Sequence, residues 1–161
     1  MGLFFTGKEL ITIAVGIEKN GAAFYDTALA SAKIDAVRET FQYLADSERE
    51  HINIFHNMLD AVENIQPLYT YTEEYDIYLK SLVDSAVFGN EQKARDAASK
   101  VSDTDSAIQI ALAAEKESIL FYSVIQEVSK RSEKVIIAKI IDEEKSHIIQ
   151  LLKLRKTQRR S

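Results

Sequence analysis

Four stretches of the chain carry apolar residues at alternating steps of three and four, the spacing of one helix face, and an acid interrupts each stripe. In the second stretch the series is Phe41, Leu44, Glu48, His51, Phe55, Met58; in the fourth it is Ile137, Ile140, Glu144, His147, Leu151, Leu154. The first runs Ala14, Glu18, Gly21, Tyr25, Ala28, and the third Ala111, Glu115, Ser118, Tyr122, Ile125. Such a stripe faces a core. An all-α bundle follows, and its packing must accommodate four glutamates and two histidines among apolar neighbours.

Composition supports helices. One proline and five glycines leave too little turn chemistry for a sandwich or barrel, which needs punctuation every roughly 8 to 12 residues. With 46% hydrophobic and 28% charged residues the chain is neither disordered nor low-complexity, and residues 1–161 are expected to form a single domain. Thr6-Gly-Lys-Glu9 matches a capping box and predicts the start of the first helix. The second pattern runs from about Asp35 to Asn64, with a stop near Pro67. A run of N-cap residues at 102–105 precedes the third, Ala107 to Val128, and the fourth spans about Ser132 to Lys156. The expected architecture is a helix pair at about 7–65, a crossover at 66–103 and a second pair at about 104–157. A structureless crossover that long would be unusual, and Glu73 to Phe88 predicts a short helix within it, stopped by Gly89-Asn90.

The absence of cysteine excludes disulfides, thiolate metal sites and any thiol nucleophile, so a metal must be held by oxygen and imidazole. The apolar runs Leu3 to Phe5 and Leu10 to Ile17 are short and bounded by charges; neither a signal peptide nor a membrane span is expected, and a cytoplasmic location is. Lys153, Arg155, Lys156, Arg159 and Arg160 crowd the C-terminus, leaving an acidic body that argues against nucleic acid as a partner. The basic tail suits the C-terminal end of a helix dipole.

Glu48-Arg-Glu-His51 and Glu144-Lys-Ser-His147 each put a carboxylate three residues before an imidazole, on one helix face. The lone Glu18 lies 30 residues before Glu48, and Glu115 lies 29 before Glu144, so the chain reads as an internal repeat of helix pairs. Pseudo-twofold packing would converge four carboxylates and two imidazoles inside the bundle. Burying four unpaired carboxylates would cost several kcal/mol each, comparable to the whole stability of a domain. Two divalent ions are the simplest compensation. Iron or manganese suits this oxygen-rich set, with zinc and copper allowed by ligand type. The rivals are a solvated Glu-His pair on each helix of an inert interaction bundle, and a metal-binding bundle without redox chemistry. His56, about 140° round the helix from His51, is expected at the surface.

These motifs resemble the ferritin-like di-iron carboxylate family, and within it the rubrerythrin-type domain, over nearly the whole chain. The resemblance implies Glu18 and Glu115 as terminal ligands, Glu48 and Glu144 as bridges, and His51 and His147 as one ligand to each of two iron ions. It also implies supporting roles: Tyr25 and Tyr122 hydrogen-bonding the carboxylates, Glu143 orienting His51, and Ser47 orienting His147. Two departures stand out. Rubrerythrins commonly carry a further carboxylate where this chain has Ser118, and Glu117, about 200° round the helix from Glu115, cannot replace it. The cysteine-bound rubredoxin domain is also missing. What the resemblance implies is a di-iron oxidoreductase that reduces hydrogen peroxide or dioxygen, works as a homodimer and takes electrons from a separate, rubredoxin-like donor. Iron storage through a ferroxidase centre is the alternative that uses the same ligands.

Overall fold

A computed structural model of the chain describes residues 5–61 and 73–160. Every regular element among them is helical: α1 (Gly7–Ser31), α2 (Asp35–Ala61), α3 (Glu73–Asp84), α4 (Glu91–Lys100), α5 (Thr104–Val128) and α6 (Arg131–Gln158). The expected stop near Pro67 lies outside the described residues, as does the first part of the crossover.

Side-chain caps open α1, α4 and α5. The Thr6 hydroxyl accepts the Glu9 N–H at 3.1 Å, and the Glu9 carboxylate accepts the Thr6 N–H at 2.6 Å, the capping box expected for α1. Asp103 accepts the Ser106 N–H at 2.8 Å and opens α5.

The crossover differs from expectation in holding two helices rather than one. The first ends at Asp84, and Asn90, expected as part of a stop, instead caps α4 by accepting the Lys93 N–H at 2.9 Å. The physical reason is side-chain size. Helix α4 has only alanines on its inner face, Ala94 and Ala98 buried and Ala97 partly so, and small residues leave no strong apolar period. They do let α4 lie against α1, while α3 packs on α5.

Helix α1 pairs with α2 and α5 with α6; the pairs meet through α1 against α5 and α2 against α6. Among the described residues each pair is tied by an arginine–aspartate contact between its helices. Arg49 on α2 reaches Asp26 on α1 at 2.5 Å, and Arg155 on α6 holds Asp105 on α5 through two contacts at 2.6 and 3.0 Å. Arg159 joins Asp105 too, so part of the basic tail is spent within the bundle. Two apolar clusters form the core. One gathers Phe24, Phe41, Leu44, Ile108 and Leu151; the other Leu10, Phe55, Phe121, Ile137 and Ile140. Each fully buried side chain of this size contributes roughly 1.5–3 kcal/mol. No helix among the described residues is long and apolar enough to cross a membrane.

Candidate metal centre

The acids that interrupt the four stripes meet where the two helix pairs join. Glu18 on α1, Glu48 and His51 on α2, Glu115 on α5, and Glu144 and His147 on α6 are all buried, none more than 5% exposed. They form two overlapping groups: Glu18, Glu48, His51 and Glu144, then Glu48, Glu115, Glu144 and His147, each offering one ligand atom per residue within 4.8 Å of the others. Glu48 and Glu144 are common to both. His56 is exposed and takes no part.

The histidines are aimed by what holds their outer nitrogens. Nδ1 of His51 lies 3.0 Å from Glu144 Oε1 and 3.3 Å from Glu18 Oε2, while its Nε2–H donates to Glu143 Oε2 at 2.7 Å. Nδ1 of His147 lies 3.3 Å from Glu144 Oε2 and 3.5 Å from Glu115 Oε2, with its Nε2 2.9 Å from the Ser47 hydroxyl. The two rings stack with centroids 5.8 Å apart. Two buried tyrosines cross between the pairs: Tyr25 donates from α1 to Glu115 on α5, and Tyr122 donates from α5 to Glu18 on α1. A carboxylate with a fixed donor presents its remaining lone pairs in a fixed direction.

Without ions, protons would carry the charge balance of this cluster. Burial, then the charges of Glu18 and Glu144, push Glu48 well above the usual carboxylate range. Burial, then the charge of Glu144, pushes Glu115 to about 8. Burial opposes a charged imidazole, yet hydrogen bonds to the acids outweigh it and raise His51 to about 11 and His147 to about 10. Burial would raise Glu144 as well, but Glu115 and the two histidines beside it leave it below its ordinary value. Burial, then the Glu115 charge, raises Tyr25 far up, and burial with Glu18 does the same to Tyr122; both stay protonated donors.

Two details suit a metal site at these residues. Glu144 Oε1 is fully buried without a hydrogen bond of proper geometry, although His51 Nδ1 stands close, as expected of an atom shaped for a ligand other than a proton. Gly21, a gap in the α1 stripe, lies against Glu48: a Cβ there would meet Glu48 Cδ and Oε1 at 3.0 Å. That closeness was not legible in the sequence, where Gly21 was only a small residue on the inward face. Beside Glu48 and Glu115 a cavity of about 30 Å³ is lined also by Gly21, Tyr25, Ser118 and Glu117. The Ser118 hydroxyl donates to the Ala114 carbonyl at 3.1 Å, which uses its proton within α5.

Residues 9–155 match the family model described as Rubrerythrin. A crystal structure at 2.30 Å of a protein from Thermotoga maritima, assigned as a ferritin-like diiron-carboxylate protein, is similar with a TM-score of 0.74. The two share 26% identity over 95% of this chain and 96% of that one. No curated protein matches the chain significantly.

Proposed function

Because the chain belongs to the rubrerythrin family, we propose that it is a di-iron oxidoreductase that reduces hydrogen peroxide or dioxygen with electrons from a separate donor. The observation that carries this reading is the pair of buried four-residue groups sharing Glu48 and Glu144. Shared membership supports a reading in which those two would bridge the ions, Glu18 and Glu115, each in one group, would be terminal, and His51 and His147 would each serve one position through Nδ1. Iron fits four carboxylates and two imidazoles better than the thiolate-preferring metals do, and manganese or zinc would occupy the same ligands.

Two ferrous ions bound there would supply one electron each for cleavage of an O–O bond, turning hydrogen peroxide and two protons into two waters. The chain supplies position and charge. Glu143 and Ser47 hold the outer nitrogens of the histidines so that each Nδ1 faces inward. The tyrosines keep Glu115 and Glu18 from turning, and their raised pKa values keep the hydroxyl protons in place. The apolar clusters on either side exclude bulk water and strengthen every charge interaction within. Gly21 and Ser118 leave the space beside Glu48 and Glu115 where a small oxidant reaches the centre.

Residues 1–161 hold no cysteine for a rubredoxin-type iron, which supports a reading in which electrons come from a donor outside them. The working assembly in this reading is a cytoplasmic homodimer. Stopped-flow mixing tests the redox step: the reduced, iron-loaded protein should consume hydrogen peroxide faster than free ferrous ion does, and equal rates would end this reading.

A further inference from the structure

Glu117 on α5 lies outside the centre, and its surroundings are unusual for a carboxylate. It is partly buried. Its Oε2 accepts the Val87 N–H at 2.7 Å, while Oε1 is buried without a hydrogen-bond partner. Val87 belongs to residues 85–90, the irregular connection between α3 and α4. A second tie fastens the same connection to α1, where the Asn20 amide donates to the Phe88 carbonyl at 3.2 Å. A third is apolar: the Phe88 ring stacks on Phe24 with centroids 5.1 Å apart.

This strap separates two cavities. The inner one, about 30 Å³, reaches Glu48 and Glu115. The other, about 250 Å³, is lined by Ile13, Leu82, Val83, Gly89 and Phe121 and touches none of the six clustered residues. Ile17, Asn20, Ala86, Phe88 and Glu117 line both, so they form the wall between them. A water needs about 10–15 Å³ of such space, so the inner cavity accepts about two water-sized atoms, the size of hydrogen peroxide or dioxygen. The larger cavity would hold a much bulkier molecule.

We propose that Glu117 is a specificity-determining residue, which by holding Val87 keeps the 85–90 strap closed between the two cavities and so admits only diatomic-sized oxidants to the centre. This rests on the oxidoreductase reading above. The carboxylate is suited to the task because a charged acceptor holds a backbone N–H more firmly than a neutral one. Apart from its anchor at Phe88 the strap is open to solvent, with Ser85, Val87, Gly89 and Asn90 all exposed, so loss of the Glu117 tie loosens it around Val87.

The test compares the full-length protein, Glu117→Ala and Glu117→Gln. Gln keeps an oxygen that can accept the Val87 N–H and serves as the conservative rescue. Hydrogen–deuterium exchange on all three should show the Val87 amide exchanging about tenfold faster in Glu117→Ala, the factor for one charge-assisted hydrogen bond, and much less changed in Glu117→Gln. On ferrous-loaded protein, removal of iron by 2,2′-bipyridine should accelerate by a similar factor, about tenfold, in the Ala variant only. The preference for hydrogen peroxide over cumene hydroperoxide should fall by about tenfold in the same variant. Faster Val87 exchange with unchanged bipyridine access and unchanged peroxide preference would overturn the filter. Wild-type protein inert to hydrogen peroxide but with bipyridine access gated by Glu117 would instead overturn the peroxidase reading and leave the filter standing.

Discussion

Two glycines on one helix separate the demands of the fold from those of the centre. Replacing glycine by alanine inside a helix ordinarily stabilises it by about 0.8–1 kcal/mol, because the backbone has less freedom to lose. At Gly16 nothing lies within 4 Å of the added Cβ, so Gly16→Ala should show that gain, about 2–4 °C in melting temperature. At Gly21 the same methyl group meets Glu48 Cδ and Oε1 at 3.0 Å and Cγ at 3.4 Å. Overpacking of this kind costs about 1–3 kcal/mol, and where it falls depends on whether Glu48 can yield. In the metal-free protein the carboxyl is the end of a flexible side chain, so gain and cost nearly cancel and stability moves by less than about 1 kcal/mol. With ions bound, Glu48 is held from the other side, and the cost appears as metal affinity reduced by about 5- to 30-fold. Thermal melts of both variants, with iron and after chelation, together with competitive metal titration, measure each part. Gly21→Ala stabilised as much as Gly16→Ala in both states, with wild-type metal affinity, would refute the placement of Glu48 between α1 and the ions.

Tyr122→Phe and Tyr25→Phe should each cost about 1–3 kcal/mol in denaturant titration, since a buried carboxylate oxygen loses its donor. Glu143→Ala and Ser47→Ala leave the ligands intact but free the histidines, and metal affinity should drop by about 10–100-fold in each. The pH dependence should reverse with metal. In the metal-free protein the raised histidines stabilise fully below 6.5 and lose that contribution as pH rises through about 10 and 11. Glu115 likewise stabilises below 4.5 and loses its contribution as pH rises through about 8. Metal-free stability therefore falls from mildly acidic toward alkaline pH, whereas ions that replace those protons bind more tightly as pH rises. Melting curves of both forms across that range should diverge, and parallel curves would show that the ions do not displace the protons of this cluster.

The helix period is what made the bundle legible. Steps of three and four place Glu48 and His51 on the face that carries Phe41 and Phe55, and the same holds for Glu144 and His147 between Ile140 and Leu151. Four such stripes can face one interior only if their acids meet. Helix α4 was not legible, because Ala94 and Ala98 bury too little apolar surface to mark a face. Glu117 was legible only as something it is not: its angle on α5 removes it from the ligand face, but nothing local signals that Val87, 30 residues earlier, comes to meet it. Contacts of that kind depend on how a connection folds back over the bundle, which neither periodicity nor capping chemistry specifies. Gly21 is similar, since a small residue on a stripe does not announce the carboxylate that fills its space.

The central claim is that the two overlapping groups hold two ions bridged by Glu48 and Glu144. Crystals of the iron-loaded protein, with anomalous diffraction recorded on both sides of the iron edge, test it most directly. The account predicts two iron peaks, one among Glu18, Glu48, His51 and Glu144 and the other among Glu48, Glu115, Glu144 and His147, with Glu48 and Glu144 contacting both. A single peak, or iron only at surface acids with the six buried residues still bonded to one another, would contradict it.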